Sequence, residues 1–232
     1  MKITTLIFVL IGVLPSLAME PNDWQAQWIG VHPKSDVNAK RVEKIAKEGV
    51  VVALPKKKKP SVDTNSNQWS CFRKVVALDK TPQNAIARIA VDSKYWLWIN
   101  GEQVVFEGQL KRGPTPNDTY YDLVDLAPYL NKGDNTIALL VWYFGKDGFS
   151  HKSSRTPGLV FDAEIDGKAL LSDASWKARI HPAYSTAPGE MPNKRLPESN
   201  LRFDAQKDLN GWQMPGFDDS TWATANEYGN PP

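Results

Sequence analysis

The chain has 232 residues and a formal net charge of +2, its 28 Lys and Arg nearly balancing 26 Asp and Glu. So even a balance gives no global field that would gather nucleic acid, and partners must be read from local sites. With 41% hydrophobic and 23% charged residues, disorder, collagen and coiled coil are excluded as descriptions of the whole, and the length suits one or two globular domains.

Residues 1–18, MKITTLIFVLIGVLPSLA, place a basic Lys2 before an apolar run from Leu6 to Leu14 and end on Ser16-Leu17-Ala18. That order predicts a secretory signal peptide, too short for a membrane span, with a mature start near Met19. The mature chain is then expected in the periplasm or outside the cell, with no membrane association after cleavage. Residues 19–67 read as an N-terminal strap and charged linker. Trp24 and Trp28 in WQAQWIG need cover from a larger body. Asp36 to Glu48 predicts a short helix capped by Asp36 and stopped at Gly49. Lys56 to Lys59, ahead of Pro60, reads as a solvated run of like charge.

The packed unit is predicted over 68–182, as an antiparallel β-sandwich. Gln68 to Leu78 is strand material, and within it Cys71, beside Phe72, reads as a small buried hydrophobe. As the sole cysteine, it excludes an intrachain disulfide. From Ala85 to Asp92 the residues alternate with a period of two, and Tyr95 to Ile99 resumes that period after Asp92-Ser93-Lys94. Asn100-Gly101 then predicts a two-residue hairpin returning through Val104-Val105, because both residues tolerate positive φ. In Thr136 to Phe144 both faces are apolar, which predicts a central strand. Leu159 to Ile165 turns at Asp166-Gly167. Short strands, regular turn signals and no convincing long helix define the all-β class.

Residues 183–232 read as a proline-rich connection followed by the start of a second, incomplete sandwich. Ser172-Asp173-Ala174-Ser175-Trp176 and Asp218-Asp219-Ser220-Thr221-Trp222 share an acidic, small, Trp order that suggests related units in tandem. Some thirty residues are too few to bury a core of their own.

Site candidates come from the hairpin and the two long loops, Phe106 to Asp122 and Gly145 to Gly158. Trp96 and Trp98 share the face opposite Tyr95, Leu97 and Ile99. Two readings stay open for that face: cover by a second layer, or an exposed platform on which a sugar ring stacks. A pyranose has an apolar face and a rim of hydroxyls, so the candidate carbohydrate set joins Trp96, Trp98 and Trp142 to Lys111, Arg112, Asp147 and His151. Against it, Lys111-Arg112 and His151 also read as solvated loop residues. Asp218 and Asp219 point apart on an extended chain and read as turn caps. Asn117-Asp118-Thr119 fits the glycosylation pattern of a eukaryotic secretory pathway. No phosphate loop, metal-spaced Cys/His set or nucleic-acid pattern is present in the sequence.

Taken in order, WQAQWIG, CFRKVVAL, KYWLWINGEQVV, DLAPYLNKGDNTIALLVW and GWQMPGFDDSTW resemble the N-terminal β-sandwich region of secreted bacterial α-L-rhamnosidases, glycoside hydrolases that degrade plant polysaccharide. The resemblance implies a galactose-binding-like jelly roll. It also implies inverting chemistry by two carboxyl groups in a C-terminal helical toroid, which these residues do not include. No catalytic residue is therefore assigned and no activity is expected of the chain alone. The implied role is a non-catalytic accessory region that contacts rhamnose-containing carbohydrate or docks a catalytic domain. The competing role is a self-standing cell-surface structural or adhesion module. Some sandwiches of this family bind sugar through calcium; Asn117, Asp118, Asp122, Asp134 and Asn135 show no recognisable ligand spacing, so no cofactor is expected, with calcium held by those loop oxygens as the alternative the resemblance leaves open.

Overall fold

The hairpin at Asn100-Gly101 forms as the sequence predicts, with φ of 53° and 84° at its two central residues. It joins β4 (Lys94–Ile99) to β5 (Glu102–Gly108). The Asn100 side chain does more than tolerate the turn. Its Nδ2 donates to the Tyr129 carbonyl at 3.0 Å and to Asn135 Oδ1 at 2.9 Å, while its Oδ1 accepts from Thr136 N at 2.9 Å. The hairpin is thereby tied to the connection that leads into β7 (Gly133–Tyr143). A computed structural model of the chain supplies this geometry and describes residues 24–33, 65–110, 119–149, 151–189 and 196–229. The expected signal peptide, the Asp36–Glu48 helix, the Lys56–Lys59 run, Lys111, Arg112, Asn117 and Asp118 lie outside the described residues.

Two six-stranded antiparallel sheets form the sandwich. The first contains β1 (Trp28–Gly30), β3 (Ala85–Asp92), β6 (Asp122–Asp125), β8 (Gly158–Ile165), β9 (Lys168–Leu171) and β14 (Asn226–Gly229), in the order β14-β1-β8-β3-β6, with β9 also pairing β8. The second contains β2 (Gln68–Leu78), β4, β5, β7, β10 (Lys177–Ile180) and β13 (Ala223–Thr224), in the order β13-β10-β2-β7-β4-β5. A separate ribbon pairs β11 (Tyr184–Thr186) with β12 (Leu201–Phe203).

Between the sheets lies one apolar layer. Ala87, Ile89, Val91, Leu159, Phe161 and Ala163 come from the first sheet, and Phe72, Leu97, Ile99, Ile137, Leu139 and Val141 from the second. Each large side chain buried there contributes roughly 1.5–3 kcal/mol by leaving water. β7 is central, as its sequence predicts, with β2 and β4 on its two sides, and its residues from Asn135 to Tyr143 are all buried. Cys71 is buried and free.

Both outer faces are covered as well, and a buried arginine organises each cover. On the first sheet, Arg88 of β3 pairs with Asp162 of the adjacent β8 at 3.3 Å. Asp162 Oδ2 also accepts from the backbone N–H groups of Gln25 and Ala26, at 2.8 and 3.3 Å. The Trp24 ring lies 4.6 Å over the Arg88 guanidinium. The strap therefore finds its cover by docking on an ion pair.

On the second sheet, Arg73 of β2 donates through Nε to Asp219 Oδ2 at 2.9 Å and through Nη1 to the carbonyls of Trp212 and Met214. Phe217 packs against its guanidinium at 5.3 Å, and Trp212 and Trp222 are buried behind it. Within residues 183–232, read from the sequence as a connection and the start of a second sandwich, two strands join the sheets of the first. β13 pairs with β10 and β14 with β1.

The acidic, small, Trp echo has a local cause. Ser175 N donates to Asp173 Oδ1 at 2.8 Å, and Ser220 N donates to Asp218 Oδ1 at 3.0 Å. Each motif is an Asx turn that delivers a buried Trp and then a strand. The two strands, β10 and β13, pair with each other. Asp218 caps its turn as expected, whereas Asp219 pairs with Arg73.

Arg88→Met should lower the unfolding free energy by roughly 3 kcal/mol in a urea titration, because it strands the Asp162 carboxylate in a buried site. The double change with Asp162→Leu should recover only part of that loss, because it also removes the acceptor of the Gln25 and Ala26 N–H groups; full recovery would show that the pair does not hold the strap.

The aromatic face of the second sheet as a candidate functional site

Strand register sets the order of side chains on the outer face of the second sheet. Trp69, Trp142 and Lys94 lie side by side across β2, β7 and β4; the next row is Cys71, Leu140 and Trp96, and the next Arg73, Ala138 and Trp98. Trp69 is the centre of a stack. Trp142 lies 4.7 Å from it at 16°, Trp96 at 5.3 Å and 26°, and Tyr184 of β11 at 4.0 Å and 9°. Offset stacks of this kind contribute roughly 0.5–1.5 kcal/mol each beyond the area they bury.

The structure brings three of the seven candidate carbohydrate residues onto this one face, in different states of cover. Trp142 is buried between Trp69 and Phe144, and its indole N–H donates to Asn67 Oδ1 at 2.9 Å. Trp98 is half-buried, with its ring 5.7 Å from Trp212. Trp96 is half-buried too, but its outer neighbour is Phe106, edge-on at 6.2 Å and itself 73% exposed. Cover therefore holds for Trp142, while Trp96 and Trp98 each keep part of the ring open.

Asp147 and His151 belong to the loop that follows β7. Asp147 pairs with Lys152 and Arg155, each at 3.2 Å, and accepts from Ser153 N. His151 is buried against Phe144, 3.9 Å from Asp92 Oδ1. That placement corrects its reading as a surface residue. The loop folds inward because the fully buried Asp92 carboxylate accepts from Ser154 N at 2.7 Å, Ser154 Oγ at 2.8 Å and Ser153 Oγ at 3.3 Å. Lys111 and Arg112 fall outside the described residues.

Three charged residues at the open end of the face were not singled out from the sequence. Lys94, with an 18% exposed side chain, sits with Nζ 3.6 Å from Glu107 Oε2 and 4.0 Å from Glu198 Oε1. The period of two running back from Trp96 places Lys94 on the tryptophan face, so that signal was available. Glu107 arrives through local backbone: it has φ of 54° and precedes Gly108, where a Cβ would stand 2.5 Å from the Tyr95 ring. Glu198 lies more than a hundred residues away from Lys94 in the chain, and no short-range pattern announces it.

Beside Tyr184 is a second polar group of residues. His181 accepts from Ala183 N through Nδ1 at 3.3 Å, which leaves Nε2, 3.4 Å from Asp208 Oδ1, as its N–H. Burial holds the His181 imidazole below its ordinary value of 6.5, and Arg179 acts in the same direction while Asp208 opposes it. Burial also pushes the Cys71 thiol well above its ordinary range, against a lowering by Arg179. Tyr184 is raised by burial and then by Asp208. None of these is an activated nucleophile.

Two described members of the calcium candidate set, Asp122 and Asn135, are engaged within the chain. Asp122 Oδ2 accepts from Tyr95 Oη and Gln109 N, each at 2.8 Å, and Asn135 Oδ1 accepts from Asn131 N and Asn100 Nδ2. Among the described residues no group of three or more His, Cys, Asp or Glu could hold a metal ion.

With its two antiparallel sheets and an aromatic face, the molecule is a β-sandwich module. The family described as the alpha-L-rhamnosidase N-terminal domain matches residues 80–232, and the chain belongs to that family. It is 24% identical over 221 residues to an alpha-L-rhamnosidase of Alteromonas sp. (strain LOR), covering 89% of this chain and 20% of that one. It is 29% identical over 135 residues to an alpha-L-rhamnosidase of Streptomyces avermitilis, covering 55% and 13%. The chain thus spans about a fifth, or less, of the length of the curated relatives it matches. Among solved structures, the GH78 family rhamnosidase of Bacillus sp. GL1 superposes with a TM-score of 0.61 at 27% identity, over 89% of this chain and 18% of that one. An alpha-L-rhamnosidase from Dictyoglomus thermophilum shares the fold, with a TM-score of 0.58 at 21% identity over 92% and 22%. Among the described residues no helix is long and apolar enough to cross a membrane.

The His181 site gives a pH dependence of stability. A folded value depressed below the unfolded one means that the unfolded chain takes up the proton first, so stability is present above about pH 6.5 and is lost as pH falls toward the folded value. Urea midpoints should drop on acidification through that window, and His181→Gln should flatten that part of the profile. Cys71 should resist a thiol-specific disulfide reagent in the native protein and react stoichiometrically in denaturant; prompt native labelling would show that the C-terminal cover opens.

Proposed function

We propose that the chain is the non-catalytic accessory region of an α-L-rhamnosidase-like glycoside hydrolase acting on plant polysaccharide, and that it contacts carbohydrate at the open end of its aromatic face. The observation that carries this reading is the contrast within that face: Trp69 and Trp142 are buried, while Trp96 and Trp98 are half-buried and Trp96 borders a 73% exposed Phe106. An apolar ring pair bordered by charged hydrogen-bonding groups suits a pyranose, which offers a flat apolar face and a rim of hydroxyls. In this reading Trp96 stacks the sugar, while Trp98 and Trp142 support the platform from within. Lys111 and Arg112, which follow directly on Leu110 in the sequence, are proposed as further donors, and Asp147 and His151 brace the neighbouring loop. Residues 1–18 are proposed as a signal that directs export.

No hydrolysis is assigned to these residues. Glu107 and Glu198 are both paired with Lys94, at 3.6 and 4.0 Å, and neither is given an acid or base role. The partners of the chain are thus a rhamnose-containing carbohydrate and the catalytic domain of the same enzyme class.

The purified chain should leave an aryl rhamnoside intact and should bind rhamnogalacturonan fragments with a change in tryptophan fluorescence that Trp96→Ala abolishes. Turnover by the chain alone, or an unchanged spectrum at millimolar oligosaccharide, would overturn the accessory or the carbohydrate part of the proposal respectively.

A further inference from the structure

The ribbon of β11 and β12 is a two-stranded sheet of its own that pairs with neither six-stranded sheet, so it can leave the sandwich without breaking a ladder of either one. Two-stranded ribbons are at best marginally stable alone, so this one depends on what holds it down. Tyr184 stacks on Trp69 at 4.0 Å and 9°, and Asn67 Nδ2 donates to Thr186 Oγ1 at 2.8 Å. β12 is exposed along its whole length, which keeps the area buried by the ribbon small. Trp69 and Cys71 lie two residues apart on the same face of β2, and Cys71 interacts electrostatically with both Tyr184 and Asp208. The thiol therefore shares the cover that the ribbon gives to Trp69.

His181 stands at the root of the ribbon. Its backbone N–H donates to the Trp69 carbonyl at 2.8 Å, and its ring, 3% exposed, packs edge-on against Tyr184 at 4.9 Å and tilted against Phe203 at 6.5 Å. Nδ1 accepts from Ala183 N at 3.3 Å, and the Ala183 carbonyl accepts from Asp204 N at 2.9 Å, so Ala183 ties the near end of the ribbon to the imidazole. A neutral imidazole has one acceptor nitrogen, whereas an imidazolium has none. Protonation thus sets a new N–H against the Ala183 N–H, donor against donor, at a site almost closed to water. The groups facing the ring are Asp208 on Nε2, which favours the cation; Arg179 of β10, which opposes it; and Tyr184 and Cys71, both kept neutral by burial. Asp204 is paired with Lys207 at 3.3 Å, and Arg202 has the opposite parity to Phe203 on β12. Burial and Arg179 outweigh Asp208, so the closed ribbon binds the proton less well than the open one.

We infer that the β11–β12 ribbon is an acid-released flap: protonation of His181 Nδ1 breaks its bond to Ala183, lifts Tyr184 from Trp69 and uncovers Trp69 and Cys71, while both six-stranded sheets stay intact. Release joins the covered part of the aromatic face to its open end, since Trp69 stacks on Trp96 at 5.3 Å. An open His181 titrates near its ordinary value of 6.5 and a closed one lower. Each pH unit below about 6.5 therefore raises the open fraction by up to about tenfold, until the closed value is reached. The release holds whatever the face binds.

Cys71, the sole cysteine, reports the opening. The purified chain is labelled with 4,4′-dithiodipyridine, which still reacts with thiols in mild acid, and each rate is divided by that of the urea-unfolded chain at the same pH. Between about pH 7.5 and about pH 5.5 the normalised rate should rise at least about fivefold, tryptophan fluorescence should change with the same midpoint, and the far-UV circular dichroism should hold steady. His181→Asn, whose Oδ1 replaces Nδ1 as an acceptor that does not titrate, should keep the rate flat. Asp208→Asn keeps the acceptor for Leu209 N but removes the charge that favours the closed imidazolium, so its acid-induced rise should exceed that of the unsubstituted chain. A flat rate in the unsubstituted chain would overturn the release. A rise that persists in His181→Asn would overturn the role of His181, and a rise accompanied by loss of the strand signal would replace a local flap with global unfolding. Should His181→Asn fail to fold, Asp208→Asn decides: a rise no larger than that of the unsubstituted chain counts against His181.

Discussion

Burial of both faces of β7 is the constraint on which the rest of the architecture depends. A central strand with apolar residues at both parities can face the opposing sheet on one side only, so its other side needs a second cover. Ile137, Leu139 and Val141 meet the first sheet, while Ala138, Leu140 and Trp142 would otherwise meet water. The chain meets that requirement from its C-terminal part, where Tyr184, Leu209, Trp212, Phe217 and Trp222 are laid over the exposed side. The first sheet has the same requirement on a smaller scale, met by Trp24, Ala26 and Trp28 of the strap.

Apolar cover is non-directional, and something must fix where each covering segment lies. Arg73 and Arg88 do this from inside the sheets. Each guanidinium is almost wholly removed from water, and each accepts a limited set of partners with fixed geometry. Arg73 binds one carboxylate and two carbonyls of the C-terminal stretch, so it reads the path of that backbone as well as its charge. Arg88 works through Asp162, whose remaining lone pairs collect the strap's N–H groups. Buried ion pairs contribute little net stability over apolar replacements of similar shape, so the value of these two lies in registering the covers.

The candidate site follows from where that cover stops. Over Trp69 and Trp142 the aromatic face is closed by Tyr184 and Phe144, and Trp98 is half-buried against Trp212. Over Trp96 it ends against the exposed Phe106, and there the lysine and two glutamates gather. The loop after β7 closes the adjoining end, held by the buried Asp92 and by Asp147, so the platform borders a braced segment.

Much of this was legible in the chain itself, because the information was local. The period of two gave β3, β4 and β8; Asn100-Gly101 gave the hairpin; the double apolar parity of Thr136 to Phe144 gave the central strand; and Cys71 beside Phe72 gave a buried thiol. Trp96 and Trp98 could be assigned to a common face, since alternation alone fixes it. What alternation cannot say is which face is covered and by what, because the covering residues lie far away in sequence. Trp212 is more than a hundred residues beyond Trp98, Asp219 is equally remote from Arg73, and Glu198 from Lys94. Only the tertiary structure could turn the terminal Trp-rich stretch into edge strands and a lid for the first sandwich, make His151 a buried residue, and leave Trp96 at the open margin. Strand periodicity is a property of neighbouring residues, whereas exposure depends on which distant segments the whole chain brings to each face.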